Sequence, residues 1–519
     1  MSILRYTASL DNTITNAFEE NLTTRGTGSN MGASDILEAF SIYGQGSSGS
    51  VELSRILIQF PTTQITSDRT SGILPVSGSV TWKLKMYNAA HYETVPSSYT
   101  LQVSAISAAW QEGTGLDMEN YSDLTIDSDG SNWVKRSGTT GWTNIGGDYH
   151  ASPVLTQTFD SGLENLEVDV SDIVEQWLDS TKSNYGFGLR FTDSYEGYFS
   201  SSTGLDVTGS GDVTGSNLTT DIGSIHNTSG IKSSYYTKKF YGRKTEFFFK
   251  RPVIEAQFND TKKDDRGNFI LSSPLLPAAD NLNTLYFYNK NRGRLVDIAG
   301  ETSNVPTASF YYSSGSVPAG SARYFRDSAN NPVTTLKGTR VDTGIYKIQV
   351  SATSSIVSTD YPYLIDVWSF SGQEVLTGSV IIPKTFRPET SEKTTDFILN
   401  MTNLKTTYGS KDHAKLRVYA REKNWSPNIY TVAKNKPENK TIASGSYKVI
   451  RVVDNLTVLS YGTGSVKSTE LSYDENGNYF EFDMQLLQPG FQYAFKFSIY
   501  DDYTKSYLEQ PSSFKFRVE

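Results

Sequence analysis

The sequence predicts an all-β protein made of several sandwich domains, and three features carry that prediction. Apolar and polar residues alternate in short runs, clusters of Gly, Ser, Asn and Asp separate those runs, and the 3.6-residue periodicity of helices is scarce. Alternation places every second side chain on one face, so Ser54–Phe60, Val80–Tyr87 and Thr100–Ile106 are expected as strands with a core side and a solvent side. At 519 residues the chain exceeds what one core serves, and its length predicts about three to four domains.

One helix is expected, in Val168–Asp179, with Ser171 as cap and Asp172 and Glu175 in the first turn, where acids complement the helix dipole. Ile173, Val174, Trp177 and Leu178 form its apolar stripe, which suits a short helix closing one end of a sandwich. From 200 to 234 the composition shifts to small polar residues that cannot offset chain entropy by burial, so a long surface loop is expected. The basic run Thr237–Lys244 follows, then Phe247–Phe258 as the closing strand of a first domain, 1–258. The polar stretch Asn259–Asn268 has the composition of a linker.

Two further β segments share a small signature. In Asp342–Val350 and in Leu487–Phe497 a turn precedes a Tyr at the head of a strand, the pattern of a tyrosine corner whose hydroxyl bonds back to the upstream backbone. Tyr346 and Tyr493 thus assign one sandwich each to 269–384 and 385–519, with the boundary near Thr385–Glu389. Asp474–Asn478 contains Asn-Gly and is expected to turn a hairpin.

Composition excludes several functions. With Cys 0 there is neither a disulfide framework nor a thiolate metal site nor a Cys nucleophile. A net charge of -9 argues against a nucleic-acid backbone as partner. The N-terminus lacks the apolar run of a secretory signal, and no run approaches the roughly 20 apolar residues of a membrane span. His91, His150, His226 and His413 are too scattered for a zinc helix, and no P-loop, dinucleotide fingerprint or nucleophile elbow is present. Neither catalytic residues nor cofactors nor a metal are therefore assigned. Asp127–Asn132 alternates oxygen ligands as a calcium loop does, but lacks the later bidentate Glu, and an Asp-Gly turn accounts for it. Glu112, Asp117, Glu119 and Asp123 cluster beside Trp110, the composition of a glycosidase site and equally of an acid-rich loop. Lys238, Lys239, Arg243, Lys244, Lys250 and Arg251, with Phe240 and Tyr241 between them, are expected to form a solvated face or a subunit contact.

The first half resembles the DNRLRE-type jelly-roll module. The matching pieces run in family order: Ala8–Asp11, Asn30–Leu37, Ser54–Phe60, Val80–Tyr87, the Trp-centred Ala109–Thr114 and Gly141–Asn144, the helix Val168–Leu178, and Tyr185–Phe191. The segment between the Trp motifs and the loop 200–234 are longer than the family pattern. The last two domains resemble immunoglobulin-like or fibronectin type III-like modules, through Leu487-x-Pro-Gly-x-x-Tyr493 above all. A jelly roll followed by such modules resembles structural proteins of tailed bacteriophages, particularly contractile-tailed phages of marine cyanobacteria.

That resemblance implies a non-enzymatic virion protein, assembled in the host cytoplasm as a symmetric homo-oligomer. It implies other virion proteins as partners, at the neck, tail or baseplate. The alternatives are capsid decoration and a carbohydrate-binding adhesin or fibre, in which Trp110, Trp133 and Trp142 would stack on sugar rings.

Overall fold

The computed structural model describes residues 2–18, 25–43, 51–89, 95–116, 130–199, 225–233, 235–300, 305–315, 317–356, 362–386, 396–423, 429, 439–462, 467–501 and 503–519. It is all-β and divides into two units, Ile3–Phe258 and Asn259–Glu519, with Ser2 grouped in the latter. Most of the expected loop at 200–234 lies outside the described residues, as do residues 117–129.

Thirteen strands are described in the first unit: β1 Ile3–Thr7, β2 Leu10–Thr15, β3 Ile36–Tyr43, β4 Val51–Gln59, β5 Val80–Met86, β6 Tyr99–Ile106, β7 Lys135–Ser137, β8 Thr140–Gly141, β9 Tyr149–Phe159, β10 Leu166–Asp169, β11 Phe187–Phe191, β12 Tyr235–Tyr241 and β13 Val253–Phe258. One sheet has the order β1-β13-β5-β10 and the other β12-β3-β4-β11-β6-β9, with β2 pairing β4. Followed along the chain, β1, β4, β5, β6, β9, β10, β11 and β13 step between the two sheets in jelly-roll order. The strands β2, β3 and β12 widen the second sheet, while β7 and β8 form a separate small hairpin.

Alternation explains β5, where Val80, Trp82, Leu84 and Met86 all point into the core. In β4 both faces are covered, so alternation vanishes: Ile56 and Ile58 join the inner core, and Leu53 and Leu57 meet a second apolar cluster on the outer face.

Two helices pack on this sandwich, α1 (Thr62–Thr70) and α2 (Ser171–Leu178). The expected helix is α2, and Ile173, Val174 and Trp177 are buried as its stripe requires. Its cap differs from expectation. Val170 holds the cap position, and the Ser171 hydroxyl instead accepts the Trp82 amide at 2.9 Å and donates to Asp169 at 2.6 Å, stapling the helix to β5. The helix α1 has almost no apolar stripe and buries only Ile65, which is why the sequence pattern conceals it. Arg69 of α1 clasps Glu175 of α2 through two bonds of 2.7 and 2.8 Å.

The second unit holds two sandwiches. In the first, Asn283–Tyr288, Ile345–Val350 and Thr339–Asp342 face a sheet of Leu336–Lys337, Thr307–Ser313, Tyr363–Phe370 and Gln373–Thr377. Phe287, Phe310, Tyr346 and Trp368 fill the space between. In the second, a four-stranded sheet containing His413–Glu422 and Gly477–Asp483 faces a five-stranded one containing Gly445–Arg451, Gln492–Asp501 and Ser506–Val518. Its centre is aromatic, with Tyr447 stacked on Phe480 at 4.3 Å and Phe495 on Phe516 at 4.6 Å.

Tyr493 forms the expected corner, its hydroxyl donating to the Gln488 carbonyl at 2.8 Å. The Tyr346 hydroxyl accepts the amide of Ile298 at 3.0 Å, tying a distant loop to the strand. The Asp474–Asn478 hairpin forms as expected, with Gly477 at φ 102°, a conformation that glycine alone adopts without strain.

Candidate functional site

The Trp-rich insertion between β6 and β9 is the first candidate. Folding back across the outer face of β4, it packs Trp110, Trp133 and Trp142 with Ile14, Val51, Leu53 and Leu57. Trp133 is 0% exposed and the other two 6%. The indole N–H groups of Trp110 and Trp142 are spent on backbone carbonyls, of Tyr185 at 2.8 Å and Asn132 at 2.9 Å. This corrects the sugar-stacking role for Trp110, Trp133 and Trp142. An apolar outer sheet face needs a cover, and the three rings supply it, leaving no indole face for a pyranose.

Beneath this cover sits an ion pair that composition alone conceals. Arg55 of β4 donates to both carboxylate oxygens of Glu196, at 3.1 and 2.9 Å, and to the Gly146 carbonyl at 3.1 Å. Its guanidinium lies 5.4 Å from the Trp133 ring and 5.9 Å from that of Tyr149. Burial works against the Arg55 charge, and Glu196 more than restores it, so its proton is held more tightly than in water.

The acid cluster near Trp110 resolves differently from a glycosidase pair. Glu112 is clasped by the Arg243 guanidinium at 2.7 and 2.8 Å and accepts the Asp11 amide at 3.0 Å. Burial pushes Asp11 up to about 6, with Glu112 adding to the effect, while the Arg243 amide opposes it. Asp117, Glu119 and Asp123 lie outside the described residues, as do His91 and Asp127–Asp129 of the proposed turn. His150 lies on β9, its proton loosened first by burial and then by Lys182. Among the described residues no group of three or more His, Asp or Glu is placed to hold a metal ion.

The basic run is not one solvated face. Lys238 is fully buried, and Arg243 is tied to Glu112. The clue was available in the sequence: Tyr236, Lys238 and Phe240 recur at period two, so the lysine takes a core position between two aromatics.

In the second unit the stretch Asn259–Asn268 is no linker. It runs alongside the last sandwich, where the Asp264 amide donates to Tyr473 at 3.0 Å and the Lys262 amide to the Ser472 hydroxyl at 3.0 Å. Asp265 accepts the Tyr473 hydroxyl with one oxygen and the Thr284 amide of the neighbouring sandwich with the other, both at 2.7 Å. Arg266 then enters that neighbouring sandwich and clasps Asp366, which also takes the Trp368 indole at 2.7 Å. Polar composition misled because these side chains bond inward rather than to water. Burial lifts Asp264 to about 7 against the opposing charge of Arg266.

A cleft of about 380 Å³ opens at the edge of the middle sandwich, floored by Val333, Leu336 and Ile348. Asp327 is the single carboxylate on its rim among the described residues, and the amides of Asn331 and Ala329 occupy it and lower its affinity for a proton.

No family model matches the chain, and no curated protein matches it. Among solved structures it is similar to a chimeric titin Z1Z2 tandem, at 10% identity over 48% of this chain and 93% of that one, TM-score 0.14. Chicken CNTN1 FN1-FN3 domains match at 10% identity over 56% and 83%, TM-score 0.14. The Ig1-2 module of Drosophila receptor protein tyrosine phosphatase DLAR matches at 8% over 46% and 90%, TM-score 0.12. Likenesses this low carry no inference about what the chain does.

Proposed function

We propose that this chain is a non-enzymatic structural component of a tailed-bacteriophage particle, docking at the neck, tail or baseplate and contacting neighbouring subunits. One observation carries the structural part of the reading: three buried or half-buried ion pairs join elements that lie far apart in the sequence. Arg55 ties β4 to Glu196 beyond β11 and to Gly146 of the Trp cover, Arg243–Glu112 ties β12's exit to the insertion, and Arg266–Asp366 fastens the 259–268 segment into the middle sandwich. Such clasps hold surfaces at set positions, which is what a part in an assembly requires. The phage setting is supported by the ordered resemblance of the first half and by the jelly-roll connectivity found there. The test is quantitative mass spectrometry of gradient-purified virions from a host producing this chain. The reading expects it at a fixed ratio to the major structural proteins. Its absence from the particles, with abundant chain free in the lysate, would refute the assignment.

A further inference from the structure

The core-facing side of β12 carries Tyr236, Lys238 and Phe240, so the strand delivers an amine into an aromatic interior. The Lys238 Nζ lies 4.8 and 5.1 Å from the ring centres of Phe159 and Phe240. It is 2.6 Å from Oδ1 of Asn88 and 2.8 Å from each of the carbonyl oxygens of Gly162 and Glu164. Asn88 is held in place on both sides, by its backbone bridge to Phe240 and by its amide bond to the Asn165 side chain at 2.9 Å. Beside the pair stands Glu164. Its Oε1 accepts the Ser161 amide at 2.7 Å, while its Oε2 is buried without a hydrogen-bond partner.

A buried lysine normally meets a carboxylate, yet Lys238 has no salt bridge among the described residues and meets a carboxamide instead. Burial draws its ammonium down to about 8, the Glu164 charge opposing only in part, so about a tenth of the chains carry the free amine at pH 7.

We propose that Lys238 and Asn88 join in an intramolecular isopeptide bond, with Glu164 relaying the protons. The Glu164 carboxylate lies beyond ion-pair distance of Nζ, so its unpartnered Oε2 must first turn to the ammonium; it then takes a proton, and the freed lone pair of Nζ adds to Cγ of Asn88. The second proton shed by Nζ passes to Nδ2, the Cγ–Nδ2 bond breaks, and ammonia leaves. Ammonia carries off the proton held by Glu164 as ammonium, restoring the carboxylate. One amide is exchanged for another, so no oxidant or energy source enters, and fixed proximity drives a single turnover. The product is a covalent staple between β12 in one sheet and the segment leaving β5 in the other, which suits a part that bears load.

Intact-mass measurement of the purified full chain after incubation at pH 8 tests this. The expected mass falls short of the sequence mass by one molecule of ammonia, and tryptic digestion yields a branched peptide joining Lys238 to Asn88. Glu164→Gln is expected to stay at its full sequence mass while circular dichroism and a cooperative thermal transition show it folded. A folded parent chain at full mass overturns the proposal, as does an ammonia deficit that maps to other residues. A complete deficit in Glu164→Gln overturns the proton relay.

Discussion

Arg266→Ala should destabilise the second unit severely, because it strands a buried carboxylate. The Arg266 side chain is 8% exposed and that of Asp366 0%. Both oxygens of Asp366 are bound to the guanidinium, and after truncation only the Trp368 indole bond remains. Removing one partner of a buried pair costs about 3–5 kcal/mol, because the other charge is left desolvated. For a unit of this size each kcal/mol lowers the thermal midpoint by about 2–4 °C, so a fall of roughly 6–20 °C is expected in differential scanning calorimetry of the full chain. The double variant Arg266→Met, Asp366→Leu removes both charges and should recover more than half of the loss. A steric variant probes the same point, since a Cβ at Gly378 would lie 2.0 Å from Oδ1 of Asp366 and should lower the same transition. A single variant that shifts the midpoint by less than about 2 °C, or a double variant no better than the single, would refute the clasp as a stability element.

Trp133→Ala should lower the transition of the first unit by about 3–5 kcal/mol, read by urea titration, because it empties the middle of the cover over β4. Glu255 sets an acid limb: burial raises its pKa, but Arg5 and Lys85 outweigh this and bring it from 4.5 to about 2. A depressed carboxylate stabilises above its unfolded value and loses that contribution as pH falls, here about 3 kcal/mol between pH 4.5 and 2, and Glu255→Gln should flatten that limb in thermal scans against pH. Asp264 acts in the opposite sense, since its folded pKa is raised from 3.8 to about 7. The second unit should lose stability as pH rises between those values, and Asp264→Asn should abolish that slope. Tyr493→Phe should cost about 1–2 kcal/mol by leaving the Gln488 carbonyl without its hydroxyl partner, measured by the same urea titration.

Strand alternation in Val80–Met86, the stripe of α2 and the turn before Tyr493 were legible because each is a local pattern imposed by a nearby core. What stayed hidden depends on partners distant in sequence. Trp133 looks the same in a sugar platform and in a lid over an apolar sheet face, and only the pairing of β4 with β11 and β2 decides between them. Asn259–Asn268 has a linker's composition, yet Asp265 and Arg266 find Thr284, Tyr473 and Asp366 as partners, the last 100 residues away from Arg266. Lys238 shows the intermediate case. Its period-two position between aromatics was readable, whereas the approach of Asn88 and Glu164 required the fold.

The central claim is that this chain works by holding surfaces within an ordered assembly. Cryo-electron microscopy of purified particles, with the jelly roll and the two later sandwiches fitted into density, tests it most directly. The account predicts copies related by the symmetry of the neck, tail or baseplate, with their contacts made by strand and loop surfaces. Particles lacking such density, beside a free monomer holding a cleaved glycan in a pocket of converging carboxylates, would contradict it.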